Sequence, residues 1–205
     1  MLENYKLRQK ARNQLRGQWG TAILLNVIYG ALGFLPALFM PRGSGYIINL
    51  LLAGPLTLGI IACFVNLIRG KVFRFEMLFD GFSNFKTAFF TYVLMIIFIG
   101  LWSFLLVIPG IIAFYRYSMA FYILNDEPDL TAMEAINKSK EMMYGYKGKL
   151  FMLNLSFIGW SILSTLTLFI GYLWLAPYIQ TSLANFYQNL KEIHEPENSS
   201  DIMND

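Results

Sequence analysis

The sequence predicts an all-α, polytopic transmembrane helix bundle of about six spans, arranged as three hairpins with interfacial amphipathic helices on the cytoplasmic side. Three observations predict it. First, the 205 residues are 56% hydrophobic and only 14% charged, with a mean hydropathy of +0.48, whereas a soluble domain is about a quarter charged. Second, residues 17–68 hold only Arg42 as a charge, residues 87–125 only Arg116, and residues 150–190 none. Each block is about twice the roughly 20 apolar residues that one helical span needs. Third, runs such as residues 93–99 are apolar without alternation, which excludes the strands of a β-barrel. The 17% aromatic content is the opposite of a disordered chain's. A lone Cys63 leaves neither a disulfide framework nor a cysteine metal site.

Along the chain, residues 5–15 set Leu7, Ala11 and Leu15 at four-residue spacing with basic residues between them, an amphipathic helix with a narrow apolar stripe. The first span, 19–40, is expected as an uncleaved anchor: Ala31-Leu32-Gly33 looks like a signal cleavage site, but the apolar run is too long for a signal core. Pro41-Arg42-Gly43-Ser44-Gly45 divides it from the second span, 46–68, because Pro and Gly end helices. Residues 72–85 are rich in phenylalanine and belong at the membrane interface. Spans three and four cover 88–108 and 111–125, divided at Pro109-Gly110. The fourth is short, so a four-span bundle with two broken helices is the alternative. Thr131-Ala132-Met133-Glu134 carries a capping-box pattern and starts a third interfacial helix within 130–146. Spans five and six cover 150–170 and 172–190, with Gly171 at the turn and Pro177 as a second break or a kink. The chain thus reads as one membrane domain, 1–190, followed by an acidic, disordered tail, 191–205.

The basic residues give the orientation. Fourteen of the sixteen lie before the first span, between hairpins or after the last span, against Arg42 alone in the opposite loops. The positive-inside rule puts those fourteen and both termini in the cytoplasm. Lys6, Arg8, Lys10, Arg12 and Arg16 of the first amphipathic helix are then expected to meet anionic lipid headgroups. Nucleic acid is not an expected partner; membrane lipid is, with a protein partner or a second copy of the chain also compatible. Gly17, Gly81 and Gly145 recur every 64 residues; a threefold repeat and coincidence in a glycine-rich chain both account for the spacing.

Several stretches resemble a known family. They are IPGIIAFYRYSMAFYIL (108–124), AMEAINKSKEMMYG (132–145), LSFIGW (155–160), Pro177-Tyr178 and ANFY (184–187), together with the basic start at 7–20. In this order they resemble a family of small multi-pass membrane proteins, found mainly in Gram-positive bacteria and known as a domain of unknown function. The resemblance implies a protein of the bacterial plasma membrane and supplies no activity, substrate or catalytic residue.

Chemistry is sparse. No Asp or Glu lies within the apolar blocks, so a membrane-embedded carboxylate pair or proton relay has no acid to use. The single histidine, His194, falls in the tail, where Glu195 and Glu197 are its nearest candidate co-ligands. No cofactor motif occurs, and an enzyme is not expected. Arg116 is the one charge inside a predicted span. It either snorkels between Tyr115 and Tyr117 to the nearer, extracytoplasmic interface, or faces the bundle as an anion site together with Tyr115, Tyr117 and Ser118. The neutral polar residues of 150–190 read as hydrogen bonds between helices. Handling or transport of an amphiphilic or anionic solute, a lipid or a peptide, is the leading expectation. A structural or regulatory component acting through the cytoplasmic helices is the second.

Overall fold

The structure, a computed structural model, describes residues 1–39, 44–71 and 74–195. Ten helices and no strand occur among them: α1 (Asn4–Gln14), α2 (Trp19–Phe39), α3 (Ser44–Ile68), α4 (Met77–Asp80), α5 (Phe85–Leu105), α6 (Val107–Tyr117), α7 (Ala120–Asp126), α8 (Ala132–Met142), α9 (Lys147–Leu166) and α10 (Tyr172–His194). The chain is an all-α bundle. Four stretches are long and apolar enough to cross a membrane: Ser44–Ile68, Phe85–Leu105, Val107–Asp126 and Lys147–Leu166. α2 has a shorter apolar stretch, Trp19–Phe34, and α10 mixes apolar residues with Gln180, Thr181, Asn185 and Gln188. α5 illustrates the physics. Leu94, Met95, Phe98 and Ile99 pack inward, while Phe90, Ile96, Ile97, Leu101, Trp102, Phe104 and Leu105 are exposed, as for a helix with one face solvated by lipid rather than water.

The order of elements repeats three times: a short helix, a four-residue turn, then two longer helical segments. The turns are residues 15–18, 81–84 and 143–146. Gly17 and Gly145 take the same third position with φ +81°, a conformation that costs only glycine nothing. Gly81 sits at the first position instead. It serves close approach: a side chain there would overlap the Pro55 carbonyl oxygen and lie 2.8 Å from the Gly59 nitrogen. The even glycine spacing is therefore not the structural period.

α3 is the central helix, with Leu56, Phe64 and Val65 at 3% exposure or less. The helix breaks differ from expectation in two places. Pro109-Gly110 does not divide the second hairpin; the chain breaks at Leu106, which is extended (φ −161°, ψ 146°). Pro109 then lies in the first turn of α6, where a missing N–H costs nothing because those donors have no helical partner. Gly110 lets the two helices close up, since a Cβ there would stand 2.8 Å from Ser103 Cα. The chain breaks again at Ser118 and Met119. There Ser139 of α8 repairs the backbone: the Met119 N–H donates to its hydroxyl at 3.2 Å, and that hydroxyl donates to the Arg116 carbonyl at 3.0 Å. The expected turn at Gly171 is present, with Leu168 (φ +51°) and Phe169 (φ +67°) left-handed before it, and Pro177 lies inside α10.

The C-terminal ends of α3, α7 and α10 meet at what is called here the basic end. α10 runs to His194, past the predicted boundary at 190. Pro41, Arg42 and Gly43 of the first predicted turn, and the tail from 196 onward, lie outside the described residues.

Candidate functional site

α1 supplies the site's charge. Its stripe of Leu7, Ala11 and Leu15 is at 0% exposure, packed into the basic end of the bundle, and burying each leucine contributes about 1.5–3 kcal/mol. Polar ties hold the helix in register. The Leu2 N–H donates to Asn189 at 2.7 Å, the Asn4 amide to the Lys149 carbonyl at 3.2 Å, and the Asn185 amide to Gln14 at 2.6 Å. Arg8 and Arg12, one turn apart, therefore point along one flank of α1.

That flank overhangs a groove of about 670 Å³ between α1, α2, α9 and α10. Its walls are Trp19, Trp160, Leu163, Trp174 and Tyr178, and no acidic residue lines it among the described residues. Three of the chain's four tryptophans meet here. Arg8 is half-buried at its mouth. One guanidinium nitrogen makes a long hydrogen bond (3.5 Å) to the Ser156 carbonyl, and the group lies 5.9 Å over the Phe157 ring. Its Nε is buried without a hydrogen-bond partner among the described residues. Arg12 is exposed and makes no ion pair among the described residues. At the far end of the lining the Thr167 hydroxyl is already paired. It donates to the Ser164 carbonyl at 2.9 Å and accepts from the Gly171 N–H at 3.1 Å. The arrangement is a cationic mouth on an aromatic slot, suited to a ligand with an anionic head and an apolar body.

The basic residues predicted to meet lipid thus divide. Arg8 and Arg12 face the groove, while Lys6 and Lys10 are exposed elsewhere on α1 and Arg16 is exposed in the turn after it. The four residues around Arg116 are not brought together. Tyr117 is buried at 3% exposure, its ring 6.0 Å from Phe98. Tyr115 turns to α9, accepting from the Asn154 amide at 3.4 Å and packing edge-on against Phe151. The Ser118 hydroxyl donates back to the Tyr115 carbonyl at 2.9 Å. Arg116 is exposed and lines a shallow depression with Asn137 and Lys140 of α8. Ten residues past the Leu106 break, about 15 Å along the helix axis, it stands beside α8 rather than near the opposite turn. His194 has Nε2 3.2 Å from the Met142 carbonyl, and Glu195 pairs with Lys138 at 3.2 Å; Glu197 lies outside the described residues.

A second polar cluster was not foreseen. Asp126, its side chain 4% exposed, accepts two hydrogen bonds from Arg69 (2.9 and 2.7 Å), one from Lys191 (2.7 Å) and one from the Tyr187 hydroxyl (3.1 Å). Burial works against the Arg69 charge, but hydrogen bonding to Asp126 and that carboxylate's charge raise its pKa above the ordinary arginine value. Asp126 ties the last helix of each threefold unit to the other two. Its partners lie 57 and 65 residues away in the chain, so no local motif announces it. The signal for the groove was the tryptophan distribution, but Trp19 and Trp174 belong to different hairpins and only packing unites them.

The family described as "Protein of unknown function (DUF975)" matches residues 1–115 and 104–194. No curated protein and no solved structure matches the chain.

Proposed function

The chain belongs to the DUF975 family of proteins of unknown function, and we propose that it is a multi-pass protein of the bacterial plasma membrane that binds and handles an anionic amphiphile in the groove beneath α1. On this reading α2 and α10 complete six spans. The excess of basic residues at one end supports a cytoplasmic position for that end and both termini. The observation that carries the proposal is the pairing of Arg8 and Arg12 with a tryptophan-walled slot lined by no acid among the described residues. A half-buried guanidinium without a counter-charge is costly unless an anion completes it. A lipid or detergent-like acid supplies that anion and fills the apolar slot with its chain. Action through a partner complex has less support, because the apolar stripe of α1 faces inward.

The test is intact mass spectrometry of the protein purified in neutral detergent from its native membrane. The wild-type chain is expected to retain an anionic amphiphile. The double variant Arg8→Gln, Arg12→Gln is expected to lose at least nine-tenths of it. Equal retention by both, or retention of zwitterionic lipid alone, sinks the proposal.

A further inference from the structure

Resting on the reading above, we infer that the groove is built for a single-chain lipid whose head is a phosphate monoester. Three features lead there. The first is charge. Two arginines one turn apart face a groove with no acidic residue among the described residues that line it, and neither arginine has an acidic partner among them. A carboxylate or a phosphodiester brings one negative charge. A phosphate monoester carries about 1.5 to 2 at neutral pH, with three acceptor oxygens, and arginine matches phosphate oxygens through paired N–H donors. The buried Arg8 Nε, which has no partner, supplies one such donor.

The second feature is volume. Water occupies about 30 Å³ per molecule in the liquid, and a methylene is of similar size. The groove's 670 Å³ then holds roughly 22 non-hydrogen atoms, enough for a phosphate and one chain. A second chain of bilayer length does not fit in that volume and would lie outside the groove.

The third is length. Arg8 reaches α9 at Ser156, and the groove ends at Thr167 and Gly171. Eleven residues of helix span about 17 Å, close to half of the roughly 30 Å hydrocarbon thickness. One chain of ordinary length, its head held by α1, reaches the far end of the lining at Gly171.

The test uses the tryptophans already in the groove. Full-length protein in neutral detergent is titrated with chain-brominated amphiphiles, which quench nearby tryptophan fluorescence. The series is an alkyl monophosphate, a fatty acid, a single-chain phosphodiester, a two-chain phosphatidate and a zwitterionic lysophosphatidylcholine. The alkyl monophosphate is expected to half-saturate at a concentration at least tenfold below every other ligand. Arg8→Gln, Arg12→Gln is expected to erase that preference, while Lys71→Gln, an exposed charge elsewhere at the basic end, keeps it. Circular dichroism on each variant confirms that the helices are intact. If the fatty acid or phosphodiester binds as tightly as the monophosphate, the head-group inference is overturned. If the phosphatidate does, the single-chain inference is overturned. In either case binding of an anionic amphiphile stands. If no anion binds better than the lysophosphatidylcholine, the proposed function falls with the inference.

Discussion

Arg8 and Asp126 solve the problem of a charge in a poorly hydrated place in opposite ways. Asp126 is enclosed by Arg69, Lys191 and Tyr187, all within 3.1 Å, and is complete as it stands. Arg8 leans on one long carbonyl contact and an aromatic face, and on the proposed function an anionic ligand completes it. The difference sets two expectations. Asp126→Ala removes the acceptor shared by two cations, each about a quarter exposed. It is expected to destabilise the protein by about 2–3 kcal/mol, below the 3–5 kcal/mol of a fully buried pair. Thermal unfolding in neutral detergent measures this; an unchanged midpoint would contradict the hub. Arg8→Gln is expected to leave that midpoint within about 0.5 kcal/mol of wild type in ligand-free protein, and to remove the stabilisation that added anionic amphiphile gives the wild type. In the sequence, the basic residues of α1 were visible as a group. Their division into groove-facing and outward-facing members was not, because it depends on which side of α1 meets α9, a contact across 148 residues.

The helices were the most legible feature, and the reason is the charge gaps: a stretch that must shed its polar groups into lipid has to be long, apolar and helical. The turns were less so. Proline is read as a stop, yet Pro109 is tolerated in a helix's first turn, and the break fell at Leu106. The capping box at Thr131 was legible because its partners lie three residues apart. The Thr131 N–H and hydroxyl both donate to Glu134, at 2.8 and 2.7 Å. These bonds hold the Glu134 carboxyl below its usual pKa. The box's contribution is therefore present above the ordinary glutamate range and lost as pH falls through the lowered value. Thr131→Ala is expected to speed amide exchange in the first turn of α8 by about fivefold, read by hydrogen–deuterium exchange at neutral pH; an unchanged rate would contradict the box. Gly59 makes the opposite kind of contribution, through absence. A Cβ there would overlap the Leu78 carbonyl oxygen, so α4 docks only on a bare backbone. Gly59→Ala is expected to cost about 1–3 kcal/mol, whereas Gly100→Ala, with open space around it, is expected to be neutral or slightly stabilising. Thermal midpoints of the two variants separate these outcomes.

For the molecule as a whole, three units of short helix and hairpin converge at the basic end, where the Asp126 cluster joins them and α1 closes the groove. The apolar end carries exposed Phe104, Val107, Leu166 and Leu168, the last at 83% exposure. If the basic end is cytoplasmic, an impermeant maleimide reaches Leu168→Cys from outside intact cells and Lys71→Cys only after permeabilisation, in a background where Cys63 is replaced; the reverse pattern would invert the proposed orientation. The most direct measurement places a photo-crosslinking amino acid at Trp160, in the wall of the groove, and identifies by mass what it captures in the native membrane. The account predicts adducts enriched in anionic amphiphiles, an enrichment that disappears when Arg8 and Arg12 are both glutamine. Adducts that merely mirror the bulk lipid, unchanged by those substitutions, would contradict it.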